Sequence, residues 1–251
     1  MNKIPALALA TLSASIAMPA MAVNESHFAF GFVTQSLEYT EDDADSESSL
    51  QGLEIRFFDR RGHWHGAFDL RFLTGTGDFE GLNRDGVFVS DDTSEVLWET
   101  EYRVGHHATP WAAPFFGIGF RRWDHDIDGP DGYKRKVEYI YSPVGVQFNG
   151  RMGRDLDWGI YAAYNFVWDG KVRSNLTRIG LPDDASNSIN SGYGLDLSAE
   201  VSYELQTGAV VGIRPYYRFW EIDNTSTDSG SGTAEPDNES EALGVNVFLR
   251  F

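Results

Sequence analysis

No cysteine occurs among the 251 residues. That excludes a disulfide framework, a thiolate metal site and a cysteine nucleophile. Beyond the first twenty-odd residues there is also no apolar run near the ~20 residues that a membrane-spanning helix needs, and mean hydropathy is −0.34. If the chain crosses a membrane it must do so as a closed β-barrel, because only closure pairs every backbone group of the strands. Positive charge is scarce: Lys and Arg number 20 against 38 Asp and Glu, a net charge of −18. Such a surface repels nucleic acid, so no DNA or RNA partner is expected.

What is present begins with an export signal. Lys3 is the only charge before Glu25, Ile4 to Met18 is mostly Ala, Leu, Ile and Ser, and Ala20-Met21-Ala22 has the A-x-A form of a cleavage site. Residues 1–22 therefore read as a cleaved signal peptide and 23–251 as one exported domain. Aromatics reach 14% and glycines number 26, a mixture suited to a sheet that closes on itself.

From residue 28 onward apolar and polar residues alternate, interrupted by Gly, Asp, Asn and Ser clusters. The pattern predicts strands near 27–39, 50–59, 63–74, 94–106, 113–123, 134–148, 156–168, 192–205, 209–221 and 241–251. In the eighth, Tyr193, Leu195, Leu197, Ala199, Val201, Tyr203 and Leu205 alternate with Gly194, Asp196, Ser198, Glu200, Ser202 and Glu204. A soluble sandwich would produce the same alternation. Three features favour a barrel: a polar face rich in Gly and in both charge signs, Trp and Tyr near strand ends, and connections that alternate short with long. The expected fold is all-β, a transmembrane antiparallel up-and-down barrel of about ten strands, with eight as the alternative.

The last segment, Leu243-Gly-Val-Asn-Val-Phe-Leu-Arg-Phe251, places Leu243, Val245, Val247, Leu249 and Phe251 on one face and ends on an aromatic residue. It resembles the C-terminal strand that the barrel-assembly machinery reads in Gram-negative outer-membrane barrels. Gly132 to Gly145 is similar to a strand of small members of the outer membrane β-barrel domain superfamily. The resemblance implies fold and an outer-membrane location, with membrane lipid, lipopolysaccharide and the assembly machinery as partners. It implies no activity.

With polar faces inward, Glu54, Arg56, Asp69, Arg71, Glu95, Glu99, Glu101, Arg103, Arg121, Asp157, Asp196, Glu200, Glu204, Arg214, Arg218 and Arg250 fall inside the lumen or near its mouth. Arg is suited to enclosed pairs because its planar fork bonds carboxylate bidentately. Barrels with an open aqueous channel have roughly 16–18 strands. The expectation is a lumen closed by ion pairs, with a small-solute porin as the alternative.

Other candidate sites are thinner. Asp124, Asp126, Asp128 and Gly129, with Asp131 nearby, match the opening of a calcium loop, but Arg135 stands where the closing bidentate Glu belongs. The competing reading is a solvated acidic hairpin loop. His63, His65 and His107 are placed to meet at the periplasmic mouth, as zinc ligands or as interfacial polar residues. Ten strands also matches the omptin proteases, whose barrels carry an Asp pair and an Asp/His pair at the outer rim. Here the fourth long loop offers Asp183 and Asp184 without a histidine, and His125 alone falls outside. No Ser/His pair for lipid modification is visible either. No catalytic residues and no cofactor other than calcium are assigned, and a non-enzymatic protein is expected. The acidic stretches 41–47, 91–92 and 223–241 read as extracellular loops that hold divalent cations, meet a partner, or serve solubility.

Overall fold

The structure is a computed structural model and describes residues 24–82 and 86–251. The signal-peptide reading of residues 1–22 lies outside the described residues.

Strands β1 (Asn24–Glu41), β2 (Ala44–Arg61), β3 (Trp64–Leu82), β4 (Phe88–His106), β5 (Ala112–Ile127), β6 (Lys134–Met152) and β7 (Leu156–Ser174) follow one another as antiparallel neighbours. Strands β8 (Ala185–Ile189), β9 (Gly192–Glu204), β10 (Val210–Ile222) and β11 (Asn238–Arg250) complete the sheet. Pairing of β11 with β1 and of β6 with β7 closes it, and among the described residues only the short β8 keeps one side without a strand partner. β8 and β9 face β7 in one continuous register, with Gly170 opposite Ile189 and Phe166 opposite Tyr193. They are a single barrel strand interrupted at Asn190 and Ser191, and the barrel has ten strands. The eight-strand alternative and the two-sheet sandwich are both excluded.

The interruption lies beside a bulge. The β6–β7 register shifts so that Ile140 faces Asp169 and Tyr141 faces Val167, which leaves Trp168 as the extra residue. Its ring is 62% exposed on the outer surface. A second irregularity follows from proline. Pro143 lies between the pairs Phe116–Val144 and Gly119–Tyr141 and has no N–H to give, and Ser142 Oγ donates to Gly117 O at 2.9 Å instead.

The first described residue and the carboxy-terminus lie at one end of the barrel: Asn24 pairs with Arg61 beside the 62–63 turn, and Phe251 exchanges backbone bonds with Phe28. The turns at this end are short, 62–63, 107–111, 153–155 and 205–209, and this is the periplasmic end of such barrels. Gly62 and Gly208 take positive φ (61° and 85°) that close two of these turns without a side-chain clash.

The opposite end corrects one expectation. The segments 40–49 and 75–93 read as long loops, yet β1 to β4 run for 18, 18, 19 and 19 residues and carry most of both segments as strand. Only 42–43 separates β1 from β2, and β3 runs to Leu82 before β4 begins at Phe88. A transmembrane strand needs roughly 9–11 residues, so these hairpins project well beyond the membrane. Acidic, serine-rich sequence can remain extended there because β1, β2 and β3 still pair with a neighbour on both sides, while β4 before Thr93 pairs with β3.

The outer surface carries an apolar girdle. Phe28, Phe30 and Phe32 on β1, Phe68 and Phe72 on β3, and Leu195, Leu197 and Val201 on β9 all point outward and are exposed. Stacked or tilted rings mark its upper margin, Trp98 against Phe120 and Tyr164 against Tyr193 and Phe166. No helix among the described residues is long and apolar enough to cross a membrane.

Candidate functional site

The lumen is filled in layers. Nearest the periplasm is an ionic layer built around two carboxylates. Glu54 (β2) accepts from Arg71 (β3) through Nε at 3.1 Å and Nη2 at 2.8 Å, from Asn246 (β11) at 2.7 Å, and from Arg214 (β10). Arg56 adds a contact at 3.3 Å. Glu99 (β4) meets Arg218 (β10), Arg71 at 3.4 Å and Arg121 (β5) at 3.6 Å. Arg218 reaches on to Asp196 at 2.9 Å, Arg56 to Glu200 at 2.9 Å, and Arg103 to Asp69 and to Glu101 at 3.1 Å. Aromatic rings roof the guanidiniums: Tyr216 lies 4.5 Å from Arg71, Tyr161 4.8 Å from Arg103, and Phe248 4.4 Å from Arg56. Glycine on neighbouring strands makes room for these rings. A Cβ at Gly244 would lie 2.4 Å from the Tyr216 ring, and one at Gly119 would lie 2.2 Å from Tyr141.

Twelve of the thirteen residues that form the core of the expected network are thus brought together in the lumen, Glu54, Arg56, Asp69, Arg71, Glu99, Glu101, Arg103, Arg121, Asp196, Glu200, Arg214 and Arg218. Glu204 is a correction. It ends β9 at the periplasmic rim, 43% exposed, and its partner is Arg151 at 3.6 Å. The inward alternation holds there, but the barrel wall ends before the side chain is enclosed. Asp157 and Arg250 pair at 3.1 Å near the same rim.

Above the ionic layer lies one that the alternation did not reveal. Leu37, Leu50, Leu73, Leu97, Val172 and Ile189 point inward from β1, β2, β3, β4, β7 and β8, each with 0–1% exposure. Trp123, Tyr139, Tyr141 and Trp220 fill the space among them. A signal for this layer is present in the sequence. Phe72-Leu73, Val96-Leu97-Trp98 and Phe166-Val167-Trp168 interrupt strict alternation, giving one residue to the membrane and its neighbour to the lumen.

Higher still, Glu95 is enclosed with four partners: Ser48 Oγ at 3.1 Å, Thr93 Oγ1 at 3.0 Å, Trp123 Nε1 at 2.5 Å and His125 Nδ1 at 2.6 Å. Glu95 therefore stands apart from the ionic layer below. At the outer mouth, Arg135 (β6) bridges Glu41 at 3.0 Å and Glu235 at 2.9 Å. Ser174 also donates to Glu235, at 2.9 Å, and Asn187 holds the carbonyls of Ser226 and Thr233. The 223–237 connection is thereby folded across the mouth, although its composition reads as a solvated loop. Beneath it, burial pushes the Tyr133 phenol up to about 12.

A cavity of about 400 Å³ opens at the periplasmic end, lined by His27, Arg60, His107 and Asp157 near the mouth and by Glu99, Tyr141 and Arg218 at its depth. His27, Phe58, His65 and His107 form a chain of ring contacts at 4.8, 5.3 and 5.0 Å along its wall. Burial, reinforced by Arg60, lowers His107 to about 4. His63 stacks on His106 instead, at 5.7 Å, so the three histidines expected to meet do not converge on one point.

The expected calcium ligands do not converge either. β5 continues through Ile127, so Asp124 and Asp126 are strand residues on the outer surface, and Asp128 begins the connection that contains Asp131. Each strand carboxylate already has cationic partners, Asp124 with Arg122 (2.8 Å) and Lys136 (3.7 Å), Asp126 with Arg178 (2.6 Å). No cluster of metal-binding side chains is found among the described residues. Leu243, Val245, Val247, Leu249 and Phe251 share the outer face of the closing strand, and the first and the last three are exposed.

No protein-family model matches the sequence, and no curated protein matches it. Solved structures do. The outer membrane protease OmpT from Escherichia coli superposes with a TM-score of 0.54 at 10% identity, covering 94% of this chain and 98% of that one. The translocator domain of the autotransporter NalP from Neisseria meningitidis gives 0.46 at 12% identity, covering 88% and 87%. Neisserial surface protein A gives 0.38 at 12%, covering 89% and 97%. At such identities the likeness is one of fold. The chain is an outer-membrane-type β-barrel: a closed, ten-stranded, up-and-down sheet with a membrane-facing apolar girdle.

Proposed function

We propose that this chain is an integral outer-membrane protein with a sealed lumen, and that it works as a structural and interaction platform through its extracellular rim. The carrying observation is the apolar layer, whose leucines from four successive strands have 0–1% exposure. A hydrated ion entering it would exchange its water shell for aliphatic side chains and a few aromatic O–H and N–H groups, at a cost of several kcal/mol. The ionic layer beneath supports the same reading, since its guanidiniums and carboxylates are paired with one another. His125, the one histidine at the outer end, is held by Glu95 in an enclosed site, and that commitment supports a non-enzymatic role. The acid-rich hairpins that project beyond the membrane are the surface offered to cationic partners.

Planar-bilayer recording tests the proposal. The intact barrel should show no unitary conductance at neutral pH, whereas Leu73→Ser combined with Leu97→Ser, which wets the apolar layer, should introduce it. Stable conductance steps from the unaltered protein would favour the small-solute porin instead.

A further inference from the structure

Beyond Lys3, the chain has three lysines, Lys134, Lys136 and Lys171. All three lie on the outer surface of one sector, β6 and β7, immediately beyond the apolar girdle on the extracellular side. Arg122 on β5, Arg173 on β7 and Arg178 in the connection after β7 join them. This sector begins one outward-facing position above Phe120 and Ile140, next to the exposed ring of Trp168.

The rest of the rim has the opposite character. At the same height, the outer faces of β10, β11 and β1 to β4 carry acids such as Glu38, Asp45, Glu47, Asp78, Glu239 and Glu241, and no Lys or Arg among the described residues. On the extracellular side of a chain of net charge −18, the outward-facing cations of the described strands thus gather on one patch at the membrane boundary, apart from Arg61, Arg151 and Arg154 at the opposite rim.

On the strand faces of the patch, five cations, Arg122, Lys134, Lys136, Lys171 and Arg173, stand with four carboxylates. Asp124 engages Arg122 and Lys136, Glu138 engages Arg173 at 2.6 Å, and Asp126 engages Arg178. Asp169 is exposed at the lower margin, and Asp183 and Asp184 lie in the connection that carries Arg178, where Asp184 accepts from Thr177 and Asn175. Lys134 and Lys171 are exposed and carry no ion pair. Lys136 and Arg173 stand directly opposite each other across the β6–β7 ladder. Like charges in that position repel; Asp124 and Glu138 offset part of this, and an anion seated between the two cations offsets more.

We propose that the outer face of β5–β7 docks the phosphate groups of a phosphorylated glycolipid of the outer leaflet. The height fits, because the headgroup of an outer-leaflet lipid lies just above the aromatic margin while its acyl chains lie against Ile140 and Phe120. The charge fits, because a basic residue near an anionic lipid surface contributes a roughly fivefold gain in binding. The acidic remainder of the rim repels the same headgroups, so lipid is bound on one side of the barrel. The inference rests on the membrane orientation proposed above.

The test uses the full barrel folded in uncharged detergent and titrated with bisphosphorylated lipid A, its dephosphorylated form, phosphatidylglycerol and inorganic phosphate. The unaltered protein should bind the bisphosphorylated lipid in preference to the other three. Lys134→Ser with Lys171→Ser, which strands no carboxylate, should weaken that binding by about twenty-five-fold while heat-modifiable migration is retained. Asp45→Asn with Glu47→Gln, on the acidic side, should not weaken it. Equal binding of the dephosphorylated lipid, or unchanged affinity in the double lysine variant, would overturn the assignment. Equal binding of phosphatidylglycerol or of free phosphate would do so too, by showing a generic anionic surface or a small-anion site. A folded, bilayer-inserted barrel indifferent to lipid phosphate overturns this inference alone; a chain that never enters a bilayer overturns the orientation as well.

Discussion

Arg71 and Glu54 lie side by side on adjacent strands inside the barrel, with Arg71 Nη2 2.8 Å and Nε 3.1 Å from the same carboxylate oxygen. The other oxygen of Glu54 takes Asn246 at 2.7 Å and Arg214, so one carboxylate joins β2 and β3 to β10 and β11 across the closure. Replacing Glu54 by Gln keeps the size and leaves Arg56, Arg71 and Arg214 facing one another without their shared anion. Breaking an enclosed ion pair from one side costs about 3–5 kcal/mol. The E54Q barrel should unfold at a distinctly lower urea midpoint in detergent, and Arg214→Met should restore part of the loss. A midpoint equal to the parent's would show that the lumen is wet enough to screen these charges.

The clasp at the outer mouth gives a second expectation. Arg135 holds both Glu41 and Glu235, and its guanidinium lies 5.0 Å from the Tyr39 ring. Arg135→Gln should release the 223–237 connection, increasing its amide exchange and its cleavage by external protease without altering the girdle. Unchanged protection would mean that Asn187 and Ser174 suffice to hold it.

The carboxy-terminus should be required for assembly. Phe251 N donates to Phe28 O at 2.8 Å and Phe28 N to Phe251 O at 3.1 Å, while the Phe251 ring is 68% exposed on the outer face. Deleting Phe251 removes the last rung of the closing ladder and the terminal aromatic residue together. The deletion should accumulate in the periplasm; normal membrane insertion with heat-modifiable migration would refute a recognition role.

Orientation is open to direct labelling. An epitope inserted at Ser229 should be reached by antibody on intact cells, and one at Arg154, in the 153–155 turn, only after the outer membrane is opened. The reverse result would turn the barrel over and move the basic sector to the inner leaflet.

His107 makes the periplasmic rim sensitive to acid. Burial lowers it to about 4, below the roughly 6.5 of an exposed imidazole. The unfolded chain therefore takes up the proton first, so this contribution to stability is complete above about pH 6.5 and is lost as pH falls toward 4. The faces around it carry Arg60, Glu25, His63 and His106. The difference in unfolding midpoint between the parent and His107→Gln should change between pH 7 and pH 4.5. A constant difference would show that the imidazole takes up its proton equally readily in the folded and unfolded states.

The sequence by itself determined the barrel. Alternation such as that of Tyr193 to Leu205 decides which side chains meet lipid, because successive residues of a strand point to opposite faces. The aromatic end of the last strand and the run of ten alternating segments needed no tertiary information. What fills the lumen did need it. Glu54 and Asn246 are 192 residues apart and touch only because barrel closure sets one register against another. The inward leucines Leu37, Leu50, Leu73 and Leu97 form a layer only once the stagger of four strands brings them to one height. Calcium-like spacing at Asp124 to Asp128 was legible as a motif, but whether it curls into a loop or stays a strand depends on β6 lying alongside to pair with it. The basic sector depended on tertiary structure in the same way. Lys134 and Lys171 are distant in the chain, and their shared face follows from the β6–β7 ladder, since electrostatic patches form through neighbours in space rather than in sequence.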